Sequence, residues 1–328
     1  MATYALPMAE SKFAPSGPTP LLPPTQPPSI DLGSSRIAVV GAGVMAESMI
    51  TGLLRRGLVP PDQVVCSHPR PNRGRELTER YGVTVVAGNA EAARSADIVL
   101  LAVKPQMLPR VLRDLGGAVR PDALVISIVA GASTAAIGSA LSHRAIVRAM
   151  PNTPAQIGAG VTVWYATREV SLEAKTRVQA LLSALGSAFE VEEERQVAMA
   201  TAVSGTGPTY AFLFSESLIE AAVHLGFARH LARRLVLETL QGSIQFAIQS
   251  GEHPAQLRDM VTSPGGTSAE ALAALERGRF RTVLGDAVWA AFRRTLELEA
   301  SLEGSTAGKS AEEASGERGR RPAGDQHR

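Results

Sequence analysis

Residues 36–49 read RIAVVGAGVMAESM: a short apolar run, a glycine turn and the opening of a helix. The turn matches G-x-G-x-x-A through Gly41, Gly43 and Ala46. In that context each small residue has a task. Gly41 permits the tight turn, Gly43 lets the backbone approach a pyrophosphate, and Ala46 allows the helix to pack closely on the sheet. The phosphate then sits on the helix N-terminus, where free N–H groups and the helix dipole favour an anion. Gly41, Ala42, Gly43, Val44 and Met45 are accordingly predicted cofactor contacts. Gly and Ala are frequent in this chain, so the strand before the turn and the helix after it are what give the pattern its meaning.

Outward from this turn, apolar runs (QVVC, VTVV, DIVLLAV, ALVISIV, AIVRAM, VTVWYA and AFEVE) alternate with amphipathic segments at 44–56, 72–81 and 172–185. Continuous apolar strands separated by helices imply a parallel sheet covered on both faces. Residues 36–194 therefore read as a doubly wound α/β domain of Rossmann type. Beyond Glu194 the strands stop, and segments 194–203, 208–225, 229–249, 254–260, 268–277 and 280–302 read as helices, making 195–303 an all-α domain. Leu213, Leu218, Ala221, Ala222 and Leu225, then Leu231, Leu235, Leu240 and Ile244, are more apolar positions than one helix stripe needs, so part of that surface is expected to meet another subunit.

The bulk numbers narrow the function. The 328-residue chain is 45% hydrophobic, enough for two cores, and its formal net charge of +2 marks no nucleic-acid or anionic-membrane face. A single cysteine, Cys66, rules out an intramolecular disulfide and a multi-cysteine metal cluster; its apolar strand setting predicts a buried, inert thiol. Residues 1–35 hold eight of the 21 prolines without periodicity and read as a flexible tail, and 304–328, rich in Gly, Ser and charge, as a second. Neither signal nor transit peptide is expected in this tail, and the weakly polar stretch 123–141 is interrupted by Ser and Gly, so a cytoplasmic location is predicted.

The end of the second strand decides the cofactor. It reads VVCSHPRPNR, with Ser67, His68, Arg70 and Arg73 and no carboxylate until Glu76. An acidic residue there would bond the ribose of NAD, whereas hydroxyl and guanidinium groups suit a 2′-phosphate, so NADPH is favoured with NADH as the weaker alternative. His68, beside Pro69, reads as a loop residue. Ala102, Val103, Lys104 and Pro105 end the fourth strand, with Pro105 at a first helical position and Lys104 facing a ribose or a carboxylate. Val129, Ala130 and Gly131 end the next, where small residues leave room for a nicotinamide ring. Asn89 joins the predicted cofactor contacts. In RAMPNTPAQIGAG, Pro151 and Pro154 stiffen a loop carrying Asn152 and Thr153, a predicted substrate wall.

Other chemistries lack their signatures. There is no paired-His metal motif, no Lys-containing phosphate loop and no G-x-S-x-G elbow, so no metal is predicted. In the helical half, AVSGTGPTYAF reads as a helix start with Pro208 near its first turn and glycines for close packing. TSPGGTSAE (262–270) is stranger. Thr267 followed by Glu270 reads as a capping box, but Ser263, Pro264, Gly265, Gly266 and Ser268 exceed what capping needs. A glycine pair before a helix N-terminus exposes N–H groups to an anion such as a carboxylate.

VVGAGVMAESM, AVKPQ, RAMPNTPAQIG, AVSGTGPTYAF and EHPAQLRDMVTSPGGTS occur in this order, and on them the chain resembles the pyrroline-5-carboxylate reductase family from residue 36 to about 302. The resemblance implies hydride transfer from nicotinamide C4 to the imine carbon of 1-pyrroline-5-carboxylate, giving L-proline in the last step of proline biosynthesis. It implies interlocked helical domains in a homodimer, dimers assembled into a larger ring such as a decamer, and an active site shared with the partner's helices. It implies a substrate cradle at 262–268: Gly265, Gly266 and Thr267 amides on the carboxylate, the Ser268 hydroxyl near the ring nitrogen, and Val261 and Asn152 beside them. Ser268 and Glu252 become the catalytic candidates, Glu252 near the nicotinamide carboxamide. A cyclic imine is protonated near neutral pH, so holding the two reacting carbons together asks for no His or Asp general acid.

Two positions depart from the family pattern. Ser268 stands where Thr is common, keeping the hydroxyl but losing the β-branch that fixes χ1, and SGTGPTY replaces SGSGPAY. A β-hydroxyacid dehydrogenase would carry a lysine in its second domain, and 195–303 contains none. A relaxed-specificity imine reductase and a non-catalytic NADP-binding sensor remain the alternatives.

Overall fold

The computed structural model describes residue 32 and residues 34–317. Its first part alternates strands and helices: β1 (Ile37–Val40), α1 (Val44–Arg55), β2 (Val64–Ser67), α2 (Pro71–Tyr81), β3 (Thr84–Val86), α3 (Asn89–Ala93), β4 (Ile98–Leu101), α4 (Leu108–Asp114), β5 (Leu124–Ser127), α5 (Thr134–Leu141), β6 (Ile146–Met150), β7 (Gly160–Ala166), α6 (Leu172–Ser183) and β8 (Gly186–Glu190). Helices follow: α7 (Glu194–Ala200), α8 (Gly207–His224), α9 (Arg229–Ser250), α10 (Pro254–Met260), α11 (Thr267–Arg277) and α12 (Phe280–Glu317). The α/β-then-helical class read from the apolar runs is borne out.

One sheet holds the strands in the order β3-β2-β1-β4-β5-β6-β7-β8. Strand β1 is buried along its whole length, with Ile37 and Val39 in the core on one face and Ala38 and Val40 in the core on the other. That two-sided burial is why its sequence is continuously apolar. The order reverses at β1 and β4, so a crevice opens at their carboxyl ends.

The sheet is not wholly parallel, which corrects the expectation. Strand β7 runs antiparallel to β6, and β8 then pairs parallel with β7. The cause is the connection: β6 and β7 are joined by a 3-10 turn at Thr153–Ile157, too short for the crossover that a parallel neighbour requires. Its burial alternates along Gly160–Ala166, as an antiparallel strand with one covered face should.

The ends also differ from their predicted bounds. Leu32 is 1% exposed and belongs to the core, and Ser35 is buried too, so the packed chain includes positions before residue 36; residues 1–31 and 33 lie outside the described residues. Helix α12 runs to Glu317 instead of stopping near Leu302, which takes the first part of the predicted second tail; residues 318–328 lie outside the described residues.

The described residues pack as two compact units, 34–213 with 279–317, and 214–278. The packing therefore assigns α7, the start of α8 and α12 to the unit of the sheet, whereas the strand pattern places the division at Glu194. Helix α12 lies against α5 and α7, and Leu302 reaches the core on one side of the sheet. The unit 214–278 has Ala232 as its one buried residue. Leu218, Leu225, Leu231, Leu235, Ile244 and Phe246 are all exposed in it, and helices apolar on several sides are built to be covered by another chain. Among the described residues no helix is long and apolar enough to cross a membrane.

Candidate functional site

A cleft of about 730 Å³ lies at the sheet's carboxyl edge, lined by Gly41, Ala42, Gly43, Ser67, His68, Arg70, Asn89, Ala102, Val103 and Lys104, all predicted cofactor residues. Gly41 has φ +92°, and a Cβ there would lie 2.6 Å from Val103 Cγ1 and 2.8 Å from the Ala102 carbonyl oxygen. The tight turn needs glycine for both reasons. Gly43 is the N-cap of α1, no side chain caps the helix, and a Cβ on Gly43 would meet nothing within 4 Å. The open space above an uncapped helix N-terminus fits a pyrophosphate. Ala46 beneath it is fully buried. Val44 and Met45 form the first turn of α1; Val44 is 60% exposed.

The loop after β2 is ordered by its own side chains. The Arg70 N–H donates to His68 Nδ1 at 3.1 Å, so His68 shapes the loop, as its neighbouring proline suggests. Ser67 Oγ donates to Asn89 Oδ1 at 2.7 Å, and Asn89 Nδ2 donates to Asp114 Oδ2 at 3.1 Å. Arg73 behaves differently from Arg70. Its guanidinium pairs with Glu47 at 2.5 Å and Glu76 at 2.7 Å, and its Nε donates to the Ala42 carbonyl at 3.4 Å. These pairings raise its pKa further, the Glu76 hydrogen bond first and the Glu47 bond next. Burial opposes ionisation of Glu47, but hydrogen bonds from Tyr81 and Arg73 hold its carboxyl below the usual range.

Beyond β4, Lys104 precedes the 3-10 turn Pro105–Met107, with Pro105 at its first position. Past β5, Val129 is buried and Gly131, at φ +75°, is covered by α12: a Cβ there would lie 3.0 Å from Leu298 Cβ. The smallness of Gly131 thus serves the seating of a helix, and Ala130 between them is half-buried.

Asn152 is buried and hydrogen-bonded at both ends of its amide. Its Nδ2 donates to the Ser204 carbonyl at 3.0 Å and its Oδ1 accepts from the Val161 N–H at 2.9 Å. It pins the π-helical turn Thr201–Gly205 to β7, and Gly205 completes the contact, because a Cβ there would lie 3.2 Å from Met150 Cε. The SGTG segment is thereby explained as close packing before α8.

The capping box expected from Thr267 and Glu270 does not form. Gly265 turns the chain at φ +68°, the Gly266 N–H donates to the Ser263 carbonyl at 3.0 Å, and Gly266 becomes the extended N-cap of α11 without a side-chain cap. Thr267 and Ser268 then start the helix, their N–H groups unpaired within the described residues. Val261 and Glu252 are exposed; the Glu252 N–H donates to Ser250 Oγ at 3.3 Å, and His253 caps α10.

The residues missed from the sequence are Arg110 and Asp114, which line the cleft from α4, and a buried ionic network. Arg148 on β6, 3% exposed, pairs with Glu194 on α7 and Glu299 on α12. Glu194 also accepts from the Thr134 N–H and hydroxyl at 2.7 and 2.6 Å. The signal for the first pair is positional: α4 starts just past the β4 carboxyl end. Arg70, Lys104 and Arg110 give the cleft a cationic excess over Asp114, suited to phosphates. Among the described residues no His, Cys, Asp and Glu cluster could hold a metal.

Comparison with known proteins agrees with this geometry. Residues 194–298 match the family model described as pyrroline-5-carboxylate reductase dimerisation, and residues 36–131 the model described as NADP oxidoreductase, coenzyme F420-dependent. The chain is 42% identical over 266 residues to the pyrroline-5-carboxylate reductase of Synechocystis sp., covering 81% of this chain and 98% of that one. It is 39% identical over 272 residues to the Pseudomonas aeruginosa reductase, covering 83% and 99%. The crystal structure of the Plasmodium falciparum pyrroline carboxylate reductase with NADP bound superposes with a TM-score of 0.75 at 30% identity, covering 81% and 98%. The structure of a pyrroline-5-carboxylate reductase from Coxiella burnetii gives 0.73 at 36%, covering 80% and 98%. With an uncapped dinucleotide turn at one end and a helical dimerisation segment at the other, matched along nearly the full length of these reductases, the chain belongs to the pyrroline-5-carboxylate reductase family.

Proposed function

We propose that this protein reduces the C=N bond of 1-pyrroline-5-carboxylate to L-proline with NAD(P)H, the final step of proline biosynthesis. The observation that carries the reading is the 42% identity over 98% of a pyrroline-5-carboxylate reductase. When bound, the reduced nicotinamide supplies the hydride. The α1 N-terminus and the open face of Gly43 receive the pyrophosphate, Lys104 approaches a ribose, and Ser67, His68 and Arg70 form the pocket for a 2′-phosphate. That pocket has no acidic residue from β2, which favours NADPH over NADH.

For the substrate, the uncapped first turn of α11 offers the Thr267 and Ser268 N–H groups to a carboxylate. Gly265 provides the turn that exposes them. Ser268 presents a hydroxyl that donates to or accepts from the ring nitrogen, and Glu252 is reserved for the nicotinamide carboxamide. The exposed apolar faces of α8 and α9 assemble two chains, and dimers close into a ring such as a decamer, in the cytoplasm.

The test is NADPH consumption by the purified protein with 1-pyrroline-5-carboxylate, repeated with NADH, with proline identified as the product. Turnover with NADPH exceeding that with NADH is expected. An intact oligomer that binds NADPH yet forms no proline would sink the assignment.

A further inference from the structure

The sequence gives Arg70 and Arg73 together the choice of cofactor, but Arg73 lies in the first turn of α2 and its side chain is committed elsewhere. Its Nη2 meets Glu47 Oε2 at 2.5 Å, its Nη1 meets Glu76 Oε1 at 2.7 Å, and its Nε reaches the Ala42 carbonyl at 3.4 Å. Glu47 lies in the first turn of α1 and also accepts from Arg80 Nη1 at 2.8 Å and Tyr81 Oη at 2.7 Å. The guanidinium therefore connects three pieces: the turn between Gly41 and Gly43, the first turn of α1, and α2.

We infer that Arg73 is a positioning residue for the dinucleotide turn, bracing Ala42 and neutralising Glu47, and that the choice between NADPH and NADH falls to Arg70. The inference rests on the cofactor reading proposed above. A carboxylate in a helix's first turn is favoured by the helix dipole while the site is empty, yet it repels a pyrophosphate arriving at the same terminus. A counter-charge removes that conflict. Two arginines are available, and they are unequal: Arg80 is 63% exposed and Arg73 is 21% exposed, so solvent screens Arg73 less. Arg70 is the opposite case. It is exposed, lines the cleft, and carries no ion pair among the described residues, leaving its donors to a ligand.

The experiment measures dissociation constants of NADPH and NADH by titration calorimetry for wild type, Arg70→Ala, Arg73→Ala and the double variant Glu47→Gln/Arg73→Ala, with circular dichroism as the folding control. Arg73→Ala is expected to weaken both nucleotides by about fivefold, leaving their ratio within about twofold of wild type. Glu47→Gln in that background restores much of the loss, because the uncompensated carboxylate is gone; a merely structural role would show no such recovery. Arg70→Ala is expected to weaken NADPH alone by about tenfold. Where Arg73→Ala does not fold, Arg73→Gln keeps a donor to Ala42 without the charge and carries the same expectation. A selective loss of NADPH on changing Arg73, or no recovery in the double variant, overturns the inference. Wild-type protein that binds neither nucleotide overturns the cofactor reading instead.

Discussion

Replacing Asn152 separates a structural role from a substrate role at one residue. In Asn152→Ala the Val161 N–H loses its acceptor at 2.9 Å and the Ser204 carbonyl its donor at 3.0 Å, at a site 9% exposed. Each net hydrogen bond contributes about 1 kcal/mol, and each buried group left unsatisfied costs about 1–3 kcal/mol. A loss of about 2 kcal/mol is expected if water enters the gap, and about 4 kcal/mol if it does not. For a domain of this size the smaller figure corresponds to a fall in Tm of about 4–8 °C. Asn152→Asp adds a pH test. It keeps the acceptor for Val161 but turns a charge toward the Ser204 carbonyl, so burial and that oxygen raise the pKa of the new carboxyl above its unfolded value. The ionised form is the destabilising one, so this variant gains stability as pH falls through that raised pKa, when the protonated oxygen can donate to Ser204. Thermal melts compared over a series from about pH 4 to about pH 8, wild type against variant, read this directly. A Tm unchanged from wild type in both variants, with kcat/KM lowered, would refute the clamp and return Asn152 to the substrate.

Three further outcomes are expected. Ser268→Ala should lower kcat about tenfold while leaving the NADPH dissociation constant unchanged, since the proposed function assigns the hydroxyl to the substrate; a mutant kcat equal to wild type removes that role. Gly41→Ala forces a side chain onto φ +92° and against Val103, so NADPH binding should fall by more than tenfold (about 2 kcal/mol or more of strain) with a lower Tm; wild-type titration curves would show the turn to be less constrained than its geometry. Burial pushes the Cys66 thiol up to about 12, leaving about one thiolate in ten thousand at pH 8, so iodoacetamide should label native protein orders of magnitude more slowly than urea-unfolded protein. Equal labelling rates would contradict the buried strand position.

What was legible in the sequence was what is decided locally. The dinucleotide turn needs glycine at Gly41 because of one backbone angle and two near neighbours, and the motif encodes both. The continuous apolar runs of β1 and β4 report burial on both faces, which a string of residues displays without knowledge of partners. The direction of β7 was missed because it is set by the length of the link from β6, and its sequence hides the alternation: the buried positions include Gly160 and Thr162, the less buried ones Val161 and Val163. The start of α11 was misplaced by one residue. T-x-x-E suits a capping box, but the turn at Gly265 brings Gly266 to the cap position first. Arg73 and Arg148 were out of reach for a different reason. Glu47 lies 26 residues from Arg73, and Glu299 lies 151 from Arg148, so their pairing exists only after folding.

The same distinction bears on how the site is built. The cleft proposed for the nucleotide phosphates, with the Gly41–Gly43 backbone and the side chains of Ser67, Arg70 and Lys104, sits within one packed unit, 34–213 with 279–317. Arg148, joining β6 to α7 and α12 through Glu194 and Glu299, fixes both ends of the dimerisation segment to that unit. Removing only the arginine would strand two partly buried carboxylates, so the network's worth lies in fixing where these helices sit more than in net stability. The loop proposed for the substrate belongs to the other unit, 214–278, whose helices bury one residue and expose Leu218, Leu225, Leu231, Leu235, Ile244 and Phe246. A segment with so little core of its own takes its order from what covers it. On the proposed function, the phosphate cleft is then built by one packed unit, whereas the loop at Gly265–Ser268 proposed for the carboxylate takes its order from the chain that covers 214–278.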